Sequence, residues 1–259
     1  MRVLAVQYDI AWESRDANIA AVEAMVTAAA PPAGSLIILP EMGYTGFSMQ
    51  PARVADSEAR ETENALCALA RRHASWVLGG LVQRAEDGRG RNNALLAGPD
   101  GTALATYTKI HPFSHTGEHR RYVAGEEVVV APAGPFQLAP FICYDLRFPE
   151  IFRTAVRRGA DLMVVIANWP EARFAHWEVL LRARAIENQA WVIGVNRCGA
   201  DPRFTYPGVS LIIAPDGATV ARAGDGAEVL AADIAIEPLR QWREAFPVLR
   251  DLRERWTRG

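Results

Sequence analysis

The sequence predicts an α/β fold in layers: two β-sheets packed face to face with helices outside. Three observations predict it. Short apolar runs rich in Val, Ile and Leu alternate with longer stretches of helical period. Gly- and Pro-containing turn signals separate them at regular intervals. About twelve strand-like runs stand against four helical ones, more strands than one helix-covered sheet holds comfortably.

In chain order, residues 2–8 read as a first strand and 14–30 as a helix, which Pro31-Pro32-Ala33-Gly34 ends before a strand at 35–39. A helix over 57–74 leads to strands at 75–82, 92–98 and 102–108. The last two are joined by Gly98-Pro99-Asp100-Gly101 and read as a hairpin. Strands follow at 127–131 and 136–142, then a helix at 147–159, a strand at 161–167 and a helix at 171–189. In that helix Trp177, Leu180, Leu181, Arg184 and Ala185 recur every three to four residues. Strands at 190–196, 207–213, 218–222 and 226–234 complete the set, with Ala214-Pro215-Asp216-Gly217 marking a second hairpin. The two Pro-Asp-Gly hairpins suggest a structural pseudo-repeat. No linker or low-complexity stretch divides residues 1–259, so one domain is expected. Its amphipathic end, 236–259 (Leu239, Trp242, Phe246, Leu249, Leu252, Trp256), is expected to pack on the body or on a partner subunit.

Composition excludes several classes. Half of the 259 residues are hydrophobic, enough for a full core. A formal charge of −2 makes no electrostatic case for nucleic acid or an anionic membrane. No run approaches the roughly 18 apolar residues of a membrane span. The opening Met1-Arg2-Val3-Leu4-Ala5-Val6-Gln7 turns polar too soon for a signal peptide. The cysteines, Cys67, Cys143 and Cys198, are odd in number, widely spaced and without a CxxC pair. They suit neither a disulfide framework nor zinc, and a reducing cytoplasm is the expected setting.

Three apolar strands end on a reactive residue, the place where α/β sheets build sites. Glu41 follows Leu36-Ile37-Ile38-Leu39-Pro40, and the apolar, glycine-containing loop Met42–Phe47 after it suggests a pocket wall. Lys109 ends Ala105-Thr106-Tyr107-Thr108. Cys143 ends Pro140-Phe141-Ile142. Alone, each has an ordinary reading: a solvated glutamate, an exposed lysine, a small buried cysteine. Together they make chemical sense. A carboxylate can take a thiol proton, and an ammonium favours the thiolate and can hold the oxyanion formed on attack at a carbonyl.

The stretches "LPEMGYTGFSM", "YTKIHPFS", "ICYDLRFPE" and "ANWPEARFAHWEVLLRARAIENQAWVIGVNRCG" resemble the motifs of the nitrilase superfamily of carbon–nitrogen hydrolases, most nearly its omega-amidase-like branch. The resemblance runs from Met1 to about Arg253 and keeps the family order Glu, Lys, Cys. It implies a single-domain four-layer α-β-β-α sandwich paired into a homodimer through the helices after Cys143 and after "NWP". It also implies a metal-independent amidase without cofactor, in which Glu41 is general base, Lys109 the catalytic lysine and Cys143 the nucleophile passing through a thioester. The family's second glutamate falls on Glu118, with Glu126 and Glu127 as alternatives. The Tyr144 backbone N–H is an expected oxyanion donor.

The implied substrate is a small dicarboxylate monoamide such as α-ketoglutaramate or succinamate, whose distal carboxylate calls for a cation. Arg173 is the first candidate and Arg147 the second. Tyr44, Phe47, Trp169 and Phe174 are expected around the pocket. Deaminated-peptide amide, N-carbamoyl and nitrile hydrolysis would use the same three residues. His111, His115 and His119 are four apart, but Pro112 and Gly117 spoil the helix that a metal-binding reading needs. A non-catalytic scaffold would be expected to have lost Glu41, Lys109 or Cys143, and all three are present. Cys67 and Cys198 are expected to be structural.

Overall fold

Side-chain alternation along β1 (Arg2–Gln7) shows the layering of the computed structural model, which describes residues 1–253. Val3 and Ala5 enter one core while Leu4 and Val6 enter another, as in a sheet covered on both faces. β2 (Leu36–Ile38) repeats this, with Leu36 and Ile38 on one side and Ile37 on the other. β1, β2 and β3 (Trp76–Arg84) run parallel. β4 (Gly90–Ala97) and β5 (Ala103–Thr108) extend the sheet as the expected Pro-Asp-Gly hairpin. α1 (Arg15–Ala29) and α3 (Glu61–Arg72) cover its outer face through Val22, Val26, Leu66 and Leu69. The short α2 (Pro51–Val54) lies between them in sequence.

The second half repeats the plan. After the one-turn α4 (Glu118–Arg121) come β6 (Ala131–Ala133) and β7 (Phe136–Ile142), an antiparallel pair. β7, β8 (Leu162–Ala167) and β9 (Trp191–Asn196) run parallel, with α5 (Pro149–Arg157) and α6 (Phe174–Asn188) on the outside. β10 (Cys198–Ala200) and β11 (Thr205–Pro207) form a separate two-stranded ribbon. β12 (Leu211–Ile213) and β13 (Thr219–Arg222) make the second Pro-Asp-Gly hairpin. β14 (Glu228–Asp233) returns to pair with β1. The orders are β14-β1-β2-β3-β4-β5 and β13-β12-β9-β8-β7-β6. Each sheet therefore holds three parallel strands, an antiparallel edge strand on one side and a hairpin on the other. The pseudo-repeat suggested by the two hairpins is present, and the layers stack as α-β-β-α.

Some boundaries differ from expectation. Residues 127–130 form no strand; the strand lies at Ala131–Ala133, registered by the tight turn through Gly134 (φ +59°) onto β7. The run 207–213 is broken by Gly208 and Val209, both left-handed (φ +67° and +57°), so its ends join different sheets. The helix expected at 57–74 starts at Glu61, because Asp56 accepts the Thr62 and Glu63 N–H groups and so caps the helix at that point. The helix expected at 147–159 starts at Pro149, after a 3₁₀ turn over Cys143–Arg147; proline favours the first helical position. At the C-terminus α7 (Ile236–Ala245) buries Ile236 and Leu239 and is tied down by Arg243 on Asp161, while Trp242 and Phe246 stay exposed. Trp256 and the rest of 254–259 lie outside the described residues. Among the described residues no helix is long and apolar enough to cross a membrane.

Candidate active site

The parallel strands of both sheets end at one edge, and the sequence places its reactive residues there. Glu41 follows β2, Cys143 follows β7, and Asn168 follows β8. Two successive antiparallel pairings make β5 parallel to β3, so Lys109 leaves the same edge. Gly80 of β3 lets the Glu41 loop lie directly on the strand: a Cβ there would sit 2.2 Å from the Met42 nitrogen and 2.7 Å from the Glu41 Cα.

Glu41, Lys109 and Glu118 form one buried charge cluster, each at most 1% exposed. Lys109 Nζ lies 2.8 Å from Glu41 Oε1 and 2.9 Å from Glu118 Oε2. Asn92 Nδ2 donates to Oε1 of both glutamates, at 2.8 and 2.9 Å. Glu118 Oε2 also accepts the Phe113 N–H, and Glu41 Oε2 accepts the Asn168 N–H at 3.0 Å. Burial pushes the Lys109 ammonium down, but Glu118 and Glu41 outweigh it, and the group titrates above the ordinary lysine range. Burial and Glu41 lift Glu118 against the pull of Lys109. The exposed Glu126 and Glu127 lie apart from this cluster, so Glu118 is the glutamate that meets Lys109.

Cys143 sits at φ +49°, a left-handed conformation that costs a non-glycine residue about 1–2 kcal/mol. Asp145, fully buried, accepts N–H groups of Ile142 and His111, the His111 ring Nδ1 and the Tyr107 hydroxyl. It thereby ties the turn that carries Cys143 to the strand that carries Lys109. The thiol faces the Asn168 carbonyl, Sγ to O 3.8 Å. Burial, then Glu41, raises the thiol pKa well above its usual value; Lys109 opposes them without prevailing. The cluster thus sets a thiol held toward its neutral form beside the Lys109 ammonium and its two glutamate partners. Such a set can transfer a proton to carboxylate and attack a carbonyl without a metal.

Beside Cys143 opens a narrow pocket, walled in part by Phe47, Phe113, Tyr144, Arg147, Asn168, Trp169 and Arg173. Six of the expected residues (Cys143, Tyr144, Phe47, Trp169, Arg147, Arg173) line it. Tyr44 and Phe174 do not. Tyr44 packs into the core under the first sheet, where its carbonyl accepts from Asn18 of α1, and Phe174 packs against the second-sheet core. Arg147 lies over the Trp169 ring at 4.8 Å, and Arg173 over Phe113 at 5.2 Å. The three histidines disperse: His111 turns to Asp145, His115 to Phe113, and His119 lies exposed on α4.

Asn92 and Asn168 escaped the sequence reading. Asn168 spends its NH₂ on Glu41, reaching the backbone O at 2.7 Å and Oε2 at 3.3 Å. The strand-end rule that found Glu41 and Cys143 also reaches Asn168, the first polar residue after β8; Asn92, inside β4, carries no such mark. The side-chain oxygens of both asparagines are buried without a partner among the described residues, at a cost of about 1–3 kcal/mol each.

With this geometry in view, comparison with known proteins is decisive. The sequence matches the carbon-nitrogen hydrolase family over residues 2–244. The chain belongs to that family. This hydrolase is 38% identical to the omega-amidase YafV of Yersinia enterocolitica, across 97% of this chain and 96% of that one. It is 32% identical to the 2-oxoglutaramate amidase of Bacillus subtilis, across 96% of each. Its fold superposes on that of XC1258 of Xanthomonas campestris, a CN-hydrolase superfamily protein with an arsenic adduct in its active site. The TM-score is 0.90 at 34% identity, covering 98% of the hydrolase and 97% of its neighbour.

Proposed function

We propose that this hydrolase is an omega-amidase-type enzyme, releasing ammonia from the terminal carboxamide of a small dicarboxylate monoamide. One observation carries the reading: the buried Glu41–Lys109–Glu118 cluster beside the Cys143 thiol, at the foot of a pocket that also holds Arg173. The names of the omega-amidase and 2-oxoglutaramate amidase relatives support the substrate class. Arg173 Nη2 is buried without a partner among the described residues, the condition of a donor awaiting a carboxylate. Arg147, held on Trp169 and by the His176 ring, adds positive charge at the wall. Phe47 and Trp169 pack the carbon chain between these ends.

In the proposed cycle Glu41 takes the proton of Cys143 and the thiolate attacks the carboxamide carbon. Lys109 and the Tyr144 N–H hold the oxyanion, and Glu118 keeps Lys109 in place. Glu41 returns that proton to the amide nitrogen, the C–N bond breaks, ammonia leaves and a thioester remains on Cys143. Water, activated by Glu41, then releases the acid and restores the thiol. The free thiols support a reducing, cytoplasmic setting. We further propose a homodimer through α6, where Val179 and Ile186 stand 66% and 51% exposed seven residues apart, on one face of the helix.

Ammonia release from α-ketoglutaramate, succinamate, glutamine, a deaminated-peptide amide and a simple nitrile tests the reading. The two dicarboxylate monoamides are expected to lead, and Cys143→Ala to abolish turnover with the fold intact. A nitrile that outruns inert monoamides overturns the substrate assignment; full activity in Cys143→Ala overturns the mechanism.

A further inference from the structure

Two residues of the pocket wall each carry a buried side-chain atom without a partner among the described residues, and the two atoms are chemically opposite: Arg173 Nη2, a donor, and Asn168 Oδ1, an acceptor. The orientation of the Asn168 amide is fixed by its neighbours. Its nitrogen faces two acceptors, the Glu41 carbonyl and Oε2, so the other branch must be oxygen. The glutamates offer no comparable free acceptor. Glu118 Oε1 takes Asn92 and Lys109, and its Oε2 takes Lys109 and Phe113 N–H. Glu41 Oε1 takes Lys109 and Asn92, and its Oε2 takes both nitrogens of Asn168. Asn168 also belongs to the reaction centre by position, because its carbonyl accepts from Cys143 Sγ.

We infer that Asn168 Oδ1 accepts an N–H of the substrate's carboxamide, making Asn168 a specificity-determining residue for primary amides over esters of the same chain. The inference rests on the proposed function and deepens it. A dicarboxylate monoamide has an acceptor at one end and an N–H donor at the other, and the pocket wall leaves one donor and one acceptor unmatched. An ester presents no N–H, so Oδ1 stays unsatisfied when it binds; a site built to pair a polar group rejects the ligand that lacks the partner.

The test is the ratio of kcat/KM for succinamate to that for monomethyl succinate, normalised to alkylatable Cys143. Both substrates need the same thiolate, but the amide alone needs the proton that Glu41 returns to its nitrogen, so Asn168→Asp, which loses the same side-chain contacts to Glu41, serves as the control. Asn168→Ala is expected to lower the amide-to-ester ratio by about tenfold, the worth of one hydrogen bond to a buried acceptor. Asn168→Asp, which keeps the acceptor and loses the same donors to Glu41, is expected to lose rate on both substrates but to retain an amide-to-ester ratio well above that of Asn168→Ala; equal ratios in the two variants overturn the inference. An unchanged ratio in Asn168→Ala overturns the inference. Wild-type protein that hydrolyses neither substrate overturns the functional reading instead. Should Asn168→Ala not fold, thermal shifts of Cys143→Ala protein decide: a larger shift with succinamate than with the ester at equal concentration supports the inference, and equal shifts sink it.

Discussion

Lys109 holds two buried carboxylates at once, and its removal leaves both uncompensated. Breaking one side of such a pair costs about 3–5 kcal/mol, so Lys109→Met is expected to unfold at clearly lower denaturant near pH 7. The pH dependence follows from the signs. Lys109 titrates above its unfolded value of about 10.4, so its contribution is fully present below that pH and disappears only as pH rises through the higher folded value. Glu118 is also raised, so its protonation favours the folded state and the deficit of Lys109→Met is expected to shrink toward pH 5. The thiol gives a second readout: alkylation of Cys143 by iodoacetamide is expected to rise with a midpoint above the roughly 8.5 of a free cysteine, and higher still in Lys109→Met. Equal stability of the two proteins from pH 5 to 8 would count against the cluster. At this scale the sequence was most legible where charge met an apolar strand end: Glu41, Lys109, Cys143. It was least legible where a neutral amide acts only through a partner from elsewhere in the fold. Nothing local marks Asn168 as the residue that meets Glu41 from the opposite sheet. Tyr44 misled for a related reason: the left-handed Met42 reverses the chain and turns the ring to the core.

Among the elements, α1 ends under local strain. Ala30, exposed, takes the left-handed position after the helix at φ +45°, just before Pro31. Glycine is the residue suited to that position, and Ala30→Gly is expected to gain about 0.5–1 kcal/mol, a rise of about 1–4 °C in Tm by differential scanning calorimetry. A fall in Tm would show that the strain is absorbed elsewhere. The elements themselves were legible in proportion to their period. The β-branched run Val128-Val129-Val130 looked like a strand on composition, yet pairing fell to its C-terminal neighbours, because register is chosen by the Gly134 turn and by β7. The ribbon of β10 and β11 was invisible for the same reason: with three residues in each strand, its identity lies in the pairing and not in any periodic pattern.

The whole molecule is two similar halves packed sheet against sheet, with their reactive strand ends at one edge. Glu41 follows the middle strand of one parallel trio and Asn168 the middle strand of the other, so the two occupy corresponding places and touch across the pseudo-symmetry. The proposed dimer is also a property at this scale. Val179→Glu places a charge in the centre of the exposed α6 stripe and is expected to convert the protein to a monomer by light scattering after size exclusion; wild-type protein already monomeric at micromolar concentration removes the proposal. The return of β14 to β1, pairing Arg2 with Asp233, reaches further than architecture. On the ribosome the first strand is made more than two hundred residues before its neighbour, Arg2 long before Asp233. While everything between them is synthesised the nascent chain carries an open sheet edge, which only the arrival of β14 can close. Long-range closure of this kind slows folding and leaves the half-made chain open to wrong partners. The protein's most vulnerable moment is therefore set by the order in which its strands are translated.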